Sequence, residues 1–220
     1  MRLNLPFLPP GLCAILTALA PAAAPDPYQH GPAWQPVGEP VPALGRTMTP
    51  KLEVFQGTPF LSFQDEGAGC RGSACVLAPS GTEWLHLGEP GSCSDHQDWW
   101  AHLAVDANQV LYRVSYEYGI QPGSGGNGLN LRRFHPQLQV WERVGVIPLT
   151  PGQSHVPDLE VDSWGRLLVS YQDGPDGATT IPGDVSVQRI KPTTGETEYL
   201  GPQGFSRALM PENCEHAWTT

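Results

Sequence analysis

The sequence predicts an all-β fold, a β-propeller with four-stranded antiparallel blades, on three observations. Pro and Gly are frequent, 24 and 25 of 220 residues, and they interrupt nearly every window long enough for a helix. Three markers recur in one order at a period of roughly 55 residues, which is the mark of a repeat architecture. Each copy divides into four short strand-like pieces bounded by turn residues, as a propeller blade does.

The first marker is an apolar strand ending in Val-Asp. It occurs as Leu103-Ala-Val-Asp106 and Leu159-Glu-Val-Asp162, with Leu52-Glu-Val-Phe55 as a weaker copy. The second is an aliphatic-Ser-aromatic step at Ser62, Ser115 and Ser170. The third is a Trp-x-x-aliphatic-Gly close, Trp34 to Gly38, Trp84 to Gly88 and Trp141 to Gly145, with Thr197 to Gly201 lacking the Trp.

In chain order, residues 1–22 read as a secretory signal. Arg2 supplies the positive start, an apolar run without acids follows, and Ala20-Pro21-Ala22 offers a cleavage site. The product is expected to be secreted or periplasmic, without a membrane partner after signal removal. Residues 23–49 carry what reads as the outer strand of a closing blade. Blades follow at 50–88, 89–145 and 146–201, and 202–220 starts a further one. In that last piece Trp218 falls where Trp100 falls in the second blade. About three complete blades plus parts of another make an incomplete ring, expected to be a truncated piece of a longer one. Its open edges would favour self-association.

Within the second blade, strands are expected at 101–106, 110–118, 129–134 and 138–144. The second of these alternates, with Val110, Tyr112, Val114, Tyr116 and Tyr118 on one face. In the third, strands are expected at 157–162, 166–172, 184–190 and 196–200. The run from His155 to Tyr171, His-x-Pro-x-Leu-x-Val-Asp-x-x-Gly-Arg-Leu-x-Val-x-Tyr, resembles the BNR-like and sialidase-like propeller repeats. The resemblance covers about residues 34 to 201. It implies blade architecture; the Ser-x-Asp-x-Gly-x-Thr-Trp box of true sialidase blades is absent, as is their cluster of arginines.

Charge excludes some partners. Twelve Lys and Arg against 22 Asp and Glu leave a net charge of −10, the wrong sign for gripping a phosphate backbone. No cofactor motif stands out, and the Gly119–Gly128 loop is a hairpin tip without a phosphate-binding Gly-Lys-Ser/Thr. After the signal, Cys70, Cys75, Cys93 and Cys214 remain, compatible with two disulfides in an exported chain. Cys70 with Cys75 and Cys93 with Cys214 is one of three connectivities. Their spacing does not suit zinc, and no metal site is expected.

The most chemically loaded stretch is Cys93-Ser-Asp-His-Gln-Asp-Trp-Trp100. Its matching positions hold His155 and Asp158 in the third blade. Such lead-in loops would ring one mouth of the central channel. Trp99, Trp100 and Trp218, with His96 and His155, would bind a ligand there by stacking and hydrogen bonding. For an enzyme, His96 or His155 would be the base, assisted by Asp98 or Asp158. Asp106 and Asp162 read as turn residues, and the three marker serines as small polar groups between blades. Arg132 and Arg133 read as solvated or paired with Glu117 or Glu142. Without a complete catalytic constellation, the expected function is an exported binding or interaction module for carbohydrate or protein. The alternative is a polysaccharide hydrolase or lyase; a fragment without independent function is the third reading.

Overall fold

Three four-stranded antiparallel sheets form side by side, each with its strands hydrogen-bonded in sequence order. The computed structural model describes residues 39–43, 45–67, 73–120, 127–146, 148–150, 154–173 and 184–206. The first blade is β1 (Thr47–Phe55), β2 (Thr58–Asp65), β3 (Ser73–Ser80) and β4 (Glu83–His86). The second is β5 (Asp98–Val105), β6 (Leu111–Glu117), β7 (Gly128–His135) and β8 (Val140–Arg143). The third is β9 (Ser154–Val161), β10 (Leu167–Asp173), β11 (Asp184–Ile190) and β12 (Thr197–Tyr199). The all-β propeller expectation holds. The signal at 1–22, Trp34, Gly38, Cys70, Cys214 and Trp218 lie outside the described residues.

The blades pack through their faces. β5 lies between β1 and β9, so β1, β5 and β9 are the innermost strands and border the channel. β6 is buried along its whole length because it is sandwiched twice. Its Tyr112, Val114 and Tyr116 join Leu129, Leu131, Leu159, Leu167 and Val169 in the core between the second and third blades. Leu103 and Leu111 pack instead with Ala74 and Val76 toward the first blade. Such alternation is the strand period expressed as packing, one residue to each neighbour.

The closing glycines have a backbone reason. Gly88, Gly145 and Gly201 take φ of 82°, 78° and 94°, where a Cβ is penalised. A Cβ on Gly145 would also meet Gly195 of the next blade, and one built on Gly195 would come within 2.5 Å of Gly145. The strand-end Trp141 donates its indole N–H to the Leu87 carbonyl at 2.7 Å, fastening the second blade to the first.

The serine marker does not survive the register. Leu52, Leu103 and Leu159 pair with Leu61, Arg113 and Val169. Ser62 and Ser170 are therefore matched with Val114, and Ser115 sits one residue out of step. Ser62 and Ser115 are nonetheless buried between blades as expected, both accepting hydrogen bonds from Arg113.

Candidate functional site at the channel strands

Each inner strand carries the same irregularity. Register slips between Met48 and Lys51, between Trp99 and His102, and beside Val156. In each strand one residue takes positive φ: Thr49 at 48°, Trp100 at 47° and Val156 at 45°. Thr and Val are poorly suited to that region. A bulge repeated at matched positions re-aims the side chains that follow. Two residues on stand Lys51, His102 and Asp158, and two further on Glu53, Ala104 and Glu160.

Two of these side chains meet at the channel, and Lys51, Glu53 and Glu160 act electrostatically within the same cluster. His102 Nδ1 lies 2.7 Å from Asp158 Oδ1, joining the second blade to the third. His102 is held below its ordinary pKa by burial and by the charge of Lys51, which together outweigh Asp158. Its imidazole is therefore neutral at pH 7 and able to take a proton. Glu53 is half-buried, and its carboxyl is pushed up by burial and by the carboxylates of Glu160 and Asp158. One carboxyl is thus biased toward its acid form by burial and by the two acidic side chains near it, the kind of environment that suits a proton donor. Among the described residues no group of His, Cys, Asp and Glu is arranged to hold a metal ion.

An aromatic wall stands at the strand ends nearest the lead-in loops. Trp99 contacts Trp100 at 5.9 Å and Tyr118 at 6.3 Å. Trp100 contacts Tyr116 and His155, at 5.7 and 5.9 Å. Trp99 and Trp100 were expected in a loop; β5 begins at Asp98, so both belong to the strand. Both remain partly exposed.

The expected acid/base partners are separated. His155 is buried, stacked 4.3 Å from Tyr116, and neither ring nitrogen has a partner among the described residues. Asp98 is buried against the Arg113 guanidinium, which also reaches the Cys93 carbonyl. Burial pushes the Asp98 carboxyl up against the pull of Arg113. His96 is exposed on the loop before it. The structure does not bring His96, His155 and Asp98 together: among the described residues His96 has no partner carboxylate, His155 is a stacked core ring and Asp98 is paired with Arg113. Asp158 alone of the four faces the channel cluster.

Of the other polar residues, Asp106, Asp162 and Arg133 do as expected, whereas Arg132 pairs with neither Glu117 nor Glu142 and Cys93 is a free thiol rather than half of a disulfide. Asp106 and Asp162 cap their turns by accepting two backbone N–H groups each. Arg133 pairs with Glu142 at 2.9 Å, and Arg132 with Asp95 at 2.6 Å. The Cys93 thiol is buried, donates to the Ala74 carbonyl at 2.7 Å and is pushed up to about 12, chiefly by burial.

Lys51, Glu53, His102 and Glu160 were missed for one reason. They occupy the two variable positions of the Leu-x-Val marker, the residue before Leu and the x itself. Comparing those positions across copies, rather than the shared ones, would have found them.

No family model matches this chain, and no curated protein matches it. Among solved structures it is similar to an endo-1,4-β-xylanase from Bacteroides thetaiotaomicron, with 14% identity, 76% of this chain covered and a TM-score of 0.46. It is similar to fructan 1-exohydrolase IIa from Cichorium intybus, at 12%, 70% and 0.46, and to an endo-arabinase from Bacteroides thetaiotaomicron, at 12%, 70% and 0.43. The chain spans 61%, 32% and 62% of those three chains. The reading of the site rests on its own geometry.

Proposed function

We propose that this chain belongs to a propeller that hydrolyses polysaccharide at the channel between β1, β5 and β9. The observation that carries the proposal is the convergence of Glu53, His102, Asp158 and Glu160 behind three matched bulges. Glycoside hydrolysis needs one carboxyl that holds its proton and one carboxylate that activates water or attacks the sugar. Glu53 serves as the proton donor, since burial and its acidic neighbours bias it toward the acid form. Asp158 serves as the carboxylate, with His102 fixing its orientation at 2.7 Å. Trp99, Trp100 and Tyr118 offer faces on which sugar rings stack.

Release of reducing ends from arabinan and xylan tests the proposal. Glu53→Gln and Asp158→Asn are each expected to lower turnover about 10²- to 10⁴-fold, the usual worth of a positioned acid or base. Turnover unchanged in both variants rejects the assignment. The aromatic wall favours a second reading, a carbohydrate-binding module; binding of these polysaccharides with no turnover would select it.

A further inference from the structure

The turn between β9 and β10 repeats the turn between β5 and β6 bond for bond. Asp106 and Asp162 each accept from the second and fourth following N–H groups, all at 2.9 Å. Asp106 N–H donates to Val110 and Asp162 N–H to Arg166, while Gln109 and Gly165 donate back. Gln109 and Gly165 both take positive φ, 64° and 75°. The one turn carries Asn108 where the other carries Trp164. The fold therefore requires nothing of Trp164 that an asparagine does not supply.

Trp164 is 77% exposed, the most exposed of the large apolar side chains among the described residues. It is nevertheless held. The Arg166 guanidinium lies over the indole, 4.6 Å from the ring centre, and Arg166 Nε is anchored on Asp162 Oδ2 at 2.7 Å. A cation over the ring and a carboxylate behind the cation fix one face and leave the other to solvent. In the matched turn Val110 stands in place of Arg166, so the pair Trp164 and Arg166 is an addition peculiar to the third blade.

We infer that Trp164, Arg166 and Asp162 form a sugar-binding platform on the rim of the channel opposite the Trp99 wall. An immobilised indole presents a flat apolar face to the C–H face of a sugar ring, at little entropic cost because it is already fixed. The guanidinium and carboxylate at its edge offer donors and acceptors to hydroxyl groups. Their charges cancel, so the fitting ligand is a neutral polysaccharide. From Glu160, the last residue of the channel cluster, to Asp162 the chain advances two residues, about 7 Å, past the end of β9. The platform therefore lies beyond the channel cluster, and its binding is independent of the chemistry proposed there.

The test is native electrophoresis through gels holding arabinoxylan, a neutral chain, or polygalacturonate, an acidic one. Retardation is expected in arabinoxylan. Trp164→Ala should weaken it at least tenfold, Arg166→Leu should weaken it less, and Asn108→Ala, at the matched position of the other turn, should leave it unchanged. Thermal unfolding of Trp164→Ala should match the parent, since the residue is exposed. A Trp164→Ala chain retarded like the parent overturns the platform. So does a parent retarded in neither gel, and retardation by polygalacturonate alone overturns the neutral-sugar assignment. Because the readout is binding, loss of turnover in the Glu53 and Asp158 variants leaves this result untouched.

Discussion

His102 Nδ1 and Asp158 Oδ1 lie 2.7 Å apart across the boundary between the second and third blades. Neither residue meets its partner within its own sheet; blade packing brings them together. The imidazole is pulled down by burial and by Lys51, and held up only in part by Asp158. It should titrate below pH 6.5. Asp158→Asn should lower that midpoint further, and Lys51→Met should raise it. The His102 ring proton shifts, followed by NMR through pH 4 to 8, would read both changes. A midpoint indifferent to both substitutions contradicts the cluster.

Glu117 gives a stability prediction of opposite sign to an ordinary surface acid. It is fully buried, and burial pushes its carboxyl from 4.5 to about 7, opposed by a hydrogen bond from Asn130 at 2.6 Å. Its second oxygen has no partner among the described residues. The folded state thus holds the proton more tightly than the unfolded chain. Stability is fully present below about pH 4.5 and declines as pH rises through 7, by at most about 3 kcal/mol. Glu117→Gln, which mimics the protonated acid, should raise the melting temperature more at pH 8 than at pH 5. An equal shift at both pH values would remove Glu117 as the cause.

Matched leucines separate packing from pattern. Leu52, Leu103 and Leu159 hold one position in three blades, yet they are 62%, 5% and 2% exposed. Leu159→Ala should cost about 2–5 kcal/mol, because it opens a void in the shared core. Leu52→Ala should change stability by less than about 0.5 kcal/mol. Urea unfolding of the two variants checks the contrast.

The matched bulges make a further prediction. Val156 is 40% exposed and takes φ of 45°. Strain of this kind costs about 1–3 kcal/mol, whereas glycine adds about 0.5–1 kcal/mol of entropy. Val156→Gly should therefore stabilise the fold, by about 1 kcal/mol, against the usual direction for glycine in a strand. A loss of more than that in chemical denaturation would deny the strain.

Much of the architecture was legible because it is written in shared positions. The Leu-x-Val strand, the Asp turn and the closing Gly each answer a backbone or packing demand that recurs with the blade. The candidate site was less legible because it is written in the unshared ones. Lys51, His102 and Asp158 look unrelated in sequence and become neighbours only through β1, β5 and β9. Ser115 misled for the reverse reason: Val-Ser-Tyr repeats as letters, but relative to the paired leucines it stands one residue later in β6 than in β10. Composition likewise favoured His155 and Asp98, which carry the right chemistry. Packing consumes both, one under Tyr116 and one against Arg113.

His155 tests that last point. A ring stacked 4.3 Å from Tyr116, with both nitrogens unpartnered among the described residues, acts as an aromatic filler. Burial lowers its pKa, so the unfolded chain binds the proton more tightly than the folded one. Stability should therefore be full above about pH 6.5 and fall as pH drops below it. His155→Phe keeps the stacked shape and removes the proton site. It should preserve stability at pH 8 and exceed the parent at pH 5. It should also leave polysaccharide turnover at the channel intact, whereas an acid/base role would require a large loss. Measuring melting temperature and turnover on the same variant therefore decides whether His155 is scaffold or chemistry.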